Sequence, residues 1–438
     1  MADDTSQAKP ARLTLHEHIE RLVDPGTYAP AAPAADQTAP AGGEALIDGR
    51  PATVGYSGHT LERALARRHP YVGLSSGTGG LARGGRRNLG VLDPVWGMSG
   101  GPMLLEMCRR DRVVPVVSAV VRHSFGDSSF FTGLSDFVIQ LRGTSMALTG
   151  PRVLAIGTSE RVTMEELGGV DVHRHNGQAD VIAETLDEVY AAIRRILSFL
   201  PSCAGAPLPV RDPEPPAGPV SPGQPMRALI DGLCDRGSFL ELKRDFAPSL
   251  MTGLARLDGY PFGLVASEPA VDDGAWSADA CLKATRLVSN CDAFGLPVVF
   301  LVDSPGPRDE HPAAVSRAMM LAQAVQLAEV PTCWVVTRAG ARRRPAHHRF
   351  RPGRHRPGGR LARRPGRLLR RHRVSRRRRR LGARRRGQPR RHPPRPNGPP
   401  ARRPRPLAGQ PAREDAAYLA RGLLSAHLPA RLICQAAR

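Results

Sequence analysis

The 438-residue chain repeats itself. Leu22-Val23-Asp24-Pro25-Gly26-Thr27-Tyr28 matches Leu233-Cys234-Asp235-Arg236-Gly237-Ser238-Phe239 at an offset of 211. Ile47-Asp48-Gly49-Arg50-Pro51 matches Leu257-Asp258-Gly259-Tyr260-Pro261 at 210. Pro70-Tyr71-Val72 against Pro297-Val298-Val299 stands at 227, and Val114-Pro115 followed by Arg122 matches Val330-Pro331 followed by Arg338 at 216. Each match alone is weak. Four in one order at nearly constant offset argue for two duplicated domains. The excursion to 227 implies that about 17 residues are absent from the first copy between Gly55 and Pro70.

Apolar runs at Val113–Val121, Phe137–Leu141, Phe262–Ser267, Val298–Asp303 and Thr332–Thr337 read as buried strands. Helix-length segments span about Ser277–Phe294 and Ala313–Glu329, so the second copy alternates strands with helices, as a parallel sheet requires. Leu186, Val189, Ile193, Ile196, Leu197 and Leu200 mark one face of a further helix. The boundaries follow composition: a first domain over 12–202, a Pro-rich linker over 203–226, and a partial second domain over 227–341. An Arg/Pro-rich segment over 342–413 has no apolar periodicity and is expected to be disordered, and an amphipathic 414–438 is expected to form a short helix.

The net charge of +23 suggests a nucleic-acid partner until it is localised. Residues 342–413 hold 29 Arg with no Lys, Asp or Glu, more than the whole net charge, so the remainder is mildly acidic. Only three basic residues in the chain are Lys (Lys9, Lys243, Lys283), the mark of a gene rich in G and C. The seven Cys are scattered without metal-ligand spacing and no apolar run is long enough for a membrane span, so reduced thiols and a cytoplasmic location are expected. The acidic N-terminus has no apolar segment of a secretory signal.

Between Val113 and Ser202 lie Leu134-Ser135-Asp136-Phe137, Leu148-Thr149-Gly150-Pro151, Thr163-Met164-Glu165-Glu166-Leu167-Gly168-Gly169 and the closing Leu200-Pro201. The second half adds Cys291-Asp292-Ala293-Phe294-Gly295-Leu296-Pro297 and Val302-Asp303-Ser304-Pro305-Gly306. With these motifs the chain resembles the carboxyltransferase (beta) subunits of biotin-dependent acyl-CoA carboxylases of the acetyl-CoA and propionyl-CoA carboxylase type, over about 12–202 and 227–341. The resemblance implies an α/β fold of two duplicated crotonase-like (ClpP/crotonase) domains, here with the second truncated. It implies transfer of carboxylate from carboxybiotin to an acyl-CoA, with biotin on a partner carrier, a coenzyme A thioester as substrate and no metal. It also implies a biotin carboxylase and carrier as partners, and a homo-oligomer whose active site lies between the first domain of one subunit and the second domain of another.

Chemistry of this kind needs two oxyanion holes of preorganised backbone N–H groups, each donor contributing about 3 kcal/mol. The resemblance places the first in the loop after Val121, at the amides of Gly126 and Asp127, with substrate contacts at Phe125 and Ser128 and, in a looser match, at Gly79 and Gly80. The second belongs in the loop Ala339-Gly340-Ala341-Arg342, at Gly340 and Ala341, where the family pattern ends and the Arg run begins. A reading-frame shift near codon 341 of a gene rich in G and C would write such a run. Disruption of that loop implies impaired activity and impaired oligomerisation together. The Gly-Gly-Ser stretch and Lys-bearing helix of the family's first domain are also missing, at the gap implied by the offsets.

Other signals are weaker. Gly97-Met98-Ser99-Gly100-Gly101 fits a hydrolase elbow, but Pro94 spoils the strand before it. Gly77-Thr78-Gly79-Gly80-Leu81-Ala82 fits a dinucleotide fingerprint, but Gly84 and Gly85 spoil the helix after it. His16-Glu17-His18 and His173-Arg174-His175 lack a third ligand and read as solvated positions. Two alternatives come from other function classes: a non-catalytic subunit of a carboxylase complex, and polyanion or nucleic-acid binding through the Arg-rich tail, which holds a single aromatic residue, Phe350, for base stacking.

Overall fold

A computed structural model describes residues 13–32, 42–56, 58–75, 107, 112–218, 224–308 and 311–336, and the backbone of 431–435. All of these fall in one unit. Two mixed sheets organise it. The first has the order β1-β2-β3-β4-β5-β7-β9, with β1 Ala29–Pro30, β2 Gly42–Ile47, β3 Arg50–Gly55, β4 Tyr71–Ser75, β5 Val116–Val120, β7 Phe137–Leu141 and β9 Val181–Ala183. The second has the order β10-β11-β12-β13-β14-β15, with β10 Leu240–Leu242, β11 Leu250–Leu257, β12 Tyr260–Ser267, β13 Val298–Val302, β14 Thr332–Val336 and β15 Arg431–Gln435. A two-stranded parallel piece, β6 (Ser124–Phe125) with β8 (Met146–Ala147), stands beside the first sheet.

The duplication is visible in the register. Thr53 pairs with Tyr71 and Tyr71 with Val116 in the first sheet; Gly263 pairs with Val298 and Val298 with Thr332 in the second. These partners stand at the same offsets as the sequence matches. The turn chemistry repeats too. Asp24 accepts hydrogen bonds from the amides of Asp48 (3.0 Å) and Gly49 (2.7 Å), and Asp235 from those of Asp258 (2.7 Å) and Gly259 (2.7 Å). In both hairpins an Asp-Gly pair at positive φ makes the tight turn, and a distant carboxylate holds its amides. The gap lies in the crossover. Residues 56–70, with the ten-residue helix α2 (Gly58–Arg67), do the work of residues 268–297.

The second copy's crossover helix is α9 (Ala278–Phe294), seventeen residues capped by Ser277, whose hydroxyl accepts from the Ala280 amide, and ended at Gly295 with φ 75°. Helix α10 (Ala314–Leu327) follows β13. In the first lobe, α1 (Leu15–Leu22) begins with a capping box between Thr14 and Glu17, and α7 (Leu186–Phe199) buries Val189, Ile193, Ile196 and Leu197, the face marked out by its sequence period. One hydrophobic core runs through both lobes, from Val72, Val117 and Ile193 to Leu254, Val265 and Leu287.

Three expectations are corrected. Residues 431–435, inside the segment expected to be helical, pair antiparallel with β14 (Cys333 opposite Cys434), because that strand otherwise presents an open row of backbone donors and acceptors. His18 and His173 are core residues, 3% and 6% exposed, rather than solvated positions. Each has a polar partner that makes burial tolerable: His18 Nδ1 with Tyr190 Oη at 2.7 Å, and His173 Nδ1 with Gln140 Oε1 at 2.8 Å. His16 and His175 are exposed. Residues 342–413, the G-x-S-x-G match at Gly97–Gly101 and the fingerprint match at Gly77–Ala82 lie outside the described residues. No described helix is long and apolar enough to cross a membrane.

Candidate functional site

The expected first oxyanion loop is a sharp strand-to-helix connection. After Val121 the chain passes through β6, where Ser124 N donates to Ser145 O (2.8 Å), and enters α3 (Asp127–Leu134) through Gly126. Gly126 has φ 71° and ψ −135°, a region that side chains disfavour, so glycine is required at this corner. Its carbonyl accepts from the amides of Ser129 (2.9 Å) and Phe130 (3.3 Å) and from the Ser129 hydroxyl (2.7 Å), which closes the first turn. The N–H groups of Asp127 and Ser128 open the helix, where amides have no acceptor within the helix and the positive end of its dipole lies. Among the described residues, a Cβ built on Gly126 meets no heavy atom within 4 Å.

A buried line of hydroxyls holds the corner from beneath. Ser75 Oγ donates to Ser124 Oγ (2.8 Å), Ser124 Oγ to Ser128 Oγ (2.8 Å), and Ser128 Oγ to Phe125 O (3.1 Å). The Ser128 side chain is thus turned inward and pins the loop, leaving its main chain toward the corner. Phe125 is 8% exposed and stacks on His123, with ring centroids 6.3 Å apart. Helix α3 is seated by Phe131, whose ring lies edge-on to Tyr56 and Tyr71. Gly73 makes room for it, since a Cβ there would stand 2.9 Å from Phe131 Cε1.

The opposite wall of β6 is built from the Gly-Gly motif. Thr163 and Glu166 form a capping box for α5 (Met164–Gly168), and a Cβ on Gly168 would lie 1.9 Å from Met146 O, so the close approach to β8 demands glycine. Gln140 donates to Thr144 O (3.1 Å) and Gly168 O (3.3 Å), and His173 on α6 (Val170–Asn176) completes that set. Burial pushes the His173 imidazole down to about 4. Gly150-Pro151 starts α4 (Pro151–Thr158), which buries none of its residues; Leu148 and Ile156 are 71% and 85% exposed.

Gly126, Asp127, Phe125 and Ser128 therefore come together at one corner. Gly79, Gly80, Gly340 and Ala341 lie outside the described residues. Sequence reasoning missed the part played by Ser75 and Ser124, because nothing along the chain links two serines 49 positions apart; their pairing depends on two strands meeting. Among the described residues no group of three or more His, Cys, Asp or Glu could hold a metal ion.

A model of the carboxyl transferase domain family matches residues 50–343. The chain is 31% identical over 296 residues to a propionyl-CoA carboxylase carboxyltransferase subunit of Haloferax mediterranei, covering 64% of this chain and 56% of that one. It is 32% identical over 302 residues to a biotin-dependent acetyl-/propionyl-coenzyme A carboxylase beta5 subunit of Mycobacterium tuberculosis, covering 63% and 54%. The chain spans about half the length of the curated relatives it matches. Its fold superposes on a transcarboxylase 12S structure, a hexamer with methylmalonyl-coenzyme A bound, with a TM-score of 0.65 and 26% identity over 73% of this chain and 71% of that one. The repeated register, the glycine corner at Gly126 and a domain match over most of the described residues agree, and the chain belongs to the carboxyl transferase domain family.

Proposed function

We propose that this chain binds an acyl-CoA thioester against its first lobe and sets the amides of Gly126 and Asp127 to receive an oxygen that becomes anionic during carboxyl transfer from carboxybiotin on a partner carrier. The observation that carries this reading is the Gly126 corner: positive φ, no described atom within 4 Å of a Cβ built there, and a helix start behind it. A ligand oxygen fits there, because the donors are main-chain groups already fixed by the Ser75–Ser124–Ser128 line and need no rearrangement. Biotin, when brought by its carrier, supplies carbon dioxide in activated form. The chain's own residues hold the acceptor thioester and lower the cost of the developing charge. The names of the relatives support an acyl-CoA of the acetyl or propionyl class.

The same reading makes activity in this chain impaired. In the first lobe β5 is followed by α3 and then by the parallel strand β7. In the second lobe β14 is bordered by the antiparallel β15. The second pocket is expected at Gly340 and Ala341, where the family pattern gives way to the Arg run, and the loss of that pattern is what supports impairment. Exposed Leu148, Ile156 and Met164 support a homo-oligomer that covers this apolar stretch. A biotin carboxylase and carrier as partners and a cytoplasmic location belong to the same proposal.

The test is calorimetric binding of propionyl-CoA to the full chain, with carboxyl transfer measured after adding a biotin carboxylase and biotinylated carrier. We expect binding by the wild type, at least tenfold weaker binding by Gly126→Val, and little or no transfer. Gly143→Val supplies the control: Gly143 has φ 79° and equally open surroundings, so it carries the backbone cost without the pocket. Failure of the wild type to bind, or equal weakening by both variants, overturns the acyl-CoA reading. Rapid formation of methylmalonyl-CoA overturns the impairment.

A further inference from the structure

The helix that offers the amide corner is anchored at its other end by the second lobe. Ser135 caps α3, and its hydroxyl donates to Phe131 O (3.1 Å) and pairs with Ser118 Oγ (2.6 Å). Asp136 follows, fully buried, and accepts from Val116 N (2.9 Å). Two main-chain carbonyls at this junction point to α9. Arg286 donates to Ser135 O, and Asn290 Nδ2 donates to Asp136 O at 2.8 Å. Arg112, at the entrance of β5, ties the same parts together: it lies 3.2 Å from the Asp136 carboxylate and donates to Ser289 O (2.8 Å) and Asn290 Oδ1 (2.5 Å). Asn290 is 3% exposed, so its amide exchanges hydrogen bonds with the first lobe out of reach of water.

Resting on the carboxyltransferase reading, we infer that Arg286 and Asn290 of the second lobe are positioning residues for the first lobe's oxyanion corner, acting through α3. The helix has eight residues, about 12 Å at 1.5 Å per residue, and behaves as a short rod. Displacement of its C-terminal end moves the amides of Asp127 and Ser128 at the other. The carbonyls of the C-cap Ser135 and of Asp136 just beyond it take their donors from the second lobe, so the place of the helix end is set by lobe packing. The other lobe contacts act elsewhere. Arg195, for one, donates to Gly237 O and Phe239 O.

The experiment compares the full chain with Arg286→Ala, Arg286→Lys and Arg195→Ala by hydrogen–deuterium exchange and by propionyl-CoA titration. Arg286→Ala should speed exchange in the peptide covering residues 126–134 about tenfold or more, as expected for loss of a charged donor to a buried carbonyl. It should weaken propionyl-CoA binding, and Arg286→Lys should restore part of both. Arg195→Ala, which also removes a contact between the lobes, should leave that peptide unchanged. Equal effects of Arg195→Ala and Arg286→Ala, or no change in 126–134, overturn the inference. If the wild type does not bind propionyl-CoA, the functional reading fails while exchange still decides the coupling. If carboxyl transfer is measurable, Arg286→Ala should lower kcat/KM and Arg286→Lys restore part of it, and an unchanged kcat/KM overturns the positioning role.

Discussion

Acid should weaken the wall of the site through one imidazole. His173 is 6% exposed, and its Nδ1 shares a 2.8 Å hydrogen bond with Gln140, whose amide supports Thr144 O and Gly168 O. Burial lowers its pKa to about 4, from 6.5 in the unfolded chain. The unfolded state therefore takes up the proton first as pH falls. Stability is full above about pH 6.5, declines as pH falls toward about 4, and levels off below. One pKa unit is worth about 1.4 kcal/mol, so the complete loss is on the order of 3 kcal/mol, with about 2 kcal/mol gone at pH 5. The assay is urea unfolding at pH 7.5 and pH 5 for the wild type and His173→Gln. Glutamine retains a neutral partner for Gln140 and cannot titrate. Carboxylates and His18, which burial also holds below its usual range, act in both proteins, so the difference between the two pH dependences isolates His173. Identical losses of stability between the two pH values would refute the reasoning.

Removing the duplicated turn anchors should separate the two lobes by burial. Asp235→Ala leaves two amides of a buried hairpin without acceptors and should cost about 2–4 kcal/mol, whereas Asp24→Ala, more exposed and shared with Arg194, should cost about 1–2 kcal/mol; paired thermal unfolding curves would show the order. Gly168→Ala drives a methyl into Met146 O and should destabilise the chain by at least about 2 kcal/mol, with raised hydrogen exchange in residues 142–148. A chain ending at Ala341 should lose RNA binding that the full chain shows at low salt, because the Arg run holds the excess positive charge; a salt titration of both reads this directly.

Much of the architecture was legible because it rests on local rules. Strand β7 coincides with the expected Phe137–Leu141, and α9 covers Ala278–Phe294 where a helix over about Ser277–Phe294 is expected. The offsets between repeats reappear as strand register, since a strand pair can shift only by whole residues and each slip would turn a buried face to water. Less legible was the end of the chain. Leu432 and Ile433 suit a strand as well as a short helix, and the open edge of β14 chose between them. The two buried histidines were misread for the same reason. Each sits between one polar and one apolar neighbour, which marks no buried face, and only packing brings Tyr190 to His18 and Gln140 to His173.

By itself, then, the order of residues determined the twofold plan, the Asp-Gly hairpins, the glycine corner at Gly126 and the place where the family pattern gives way to arginine. These follow from periodicity, from turn conformations few residues tolerate, and from charge, all of which act over short stretches of chain. Tertiary structure alone decided that Ser75, Ser124 and Ser128 form one line beneath the corner, and that Arg286 and Asn290 hold the far end of its helix. Apart from Ser124–Ser128, four positions apart, those contacts join residues 49 to 154 positions apart, and a hydrogen bond across such a span depends on how sheets and helices pack rather than on any pattern along the chain.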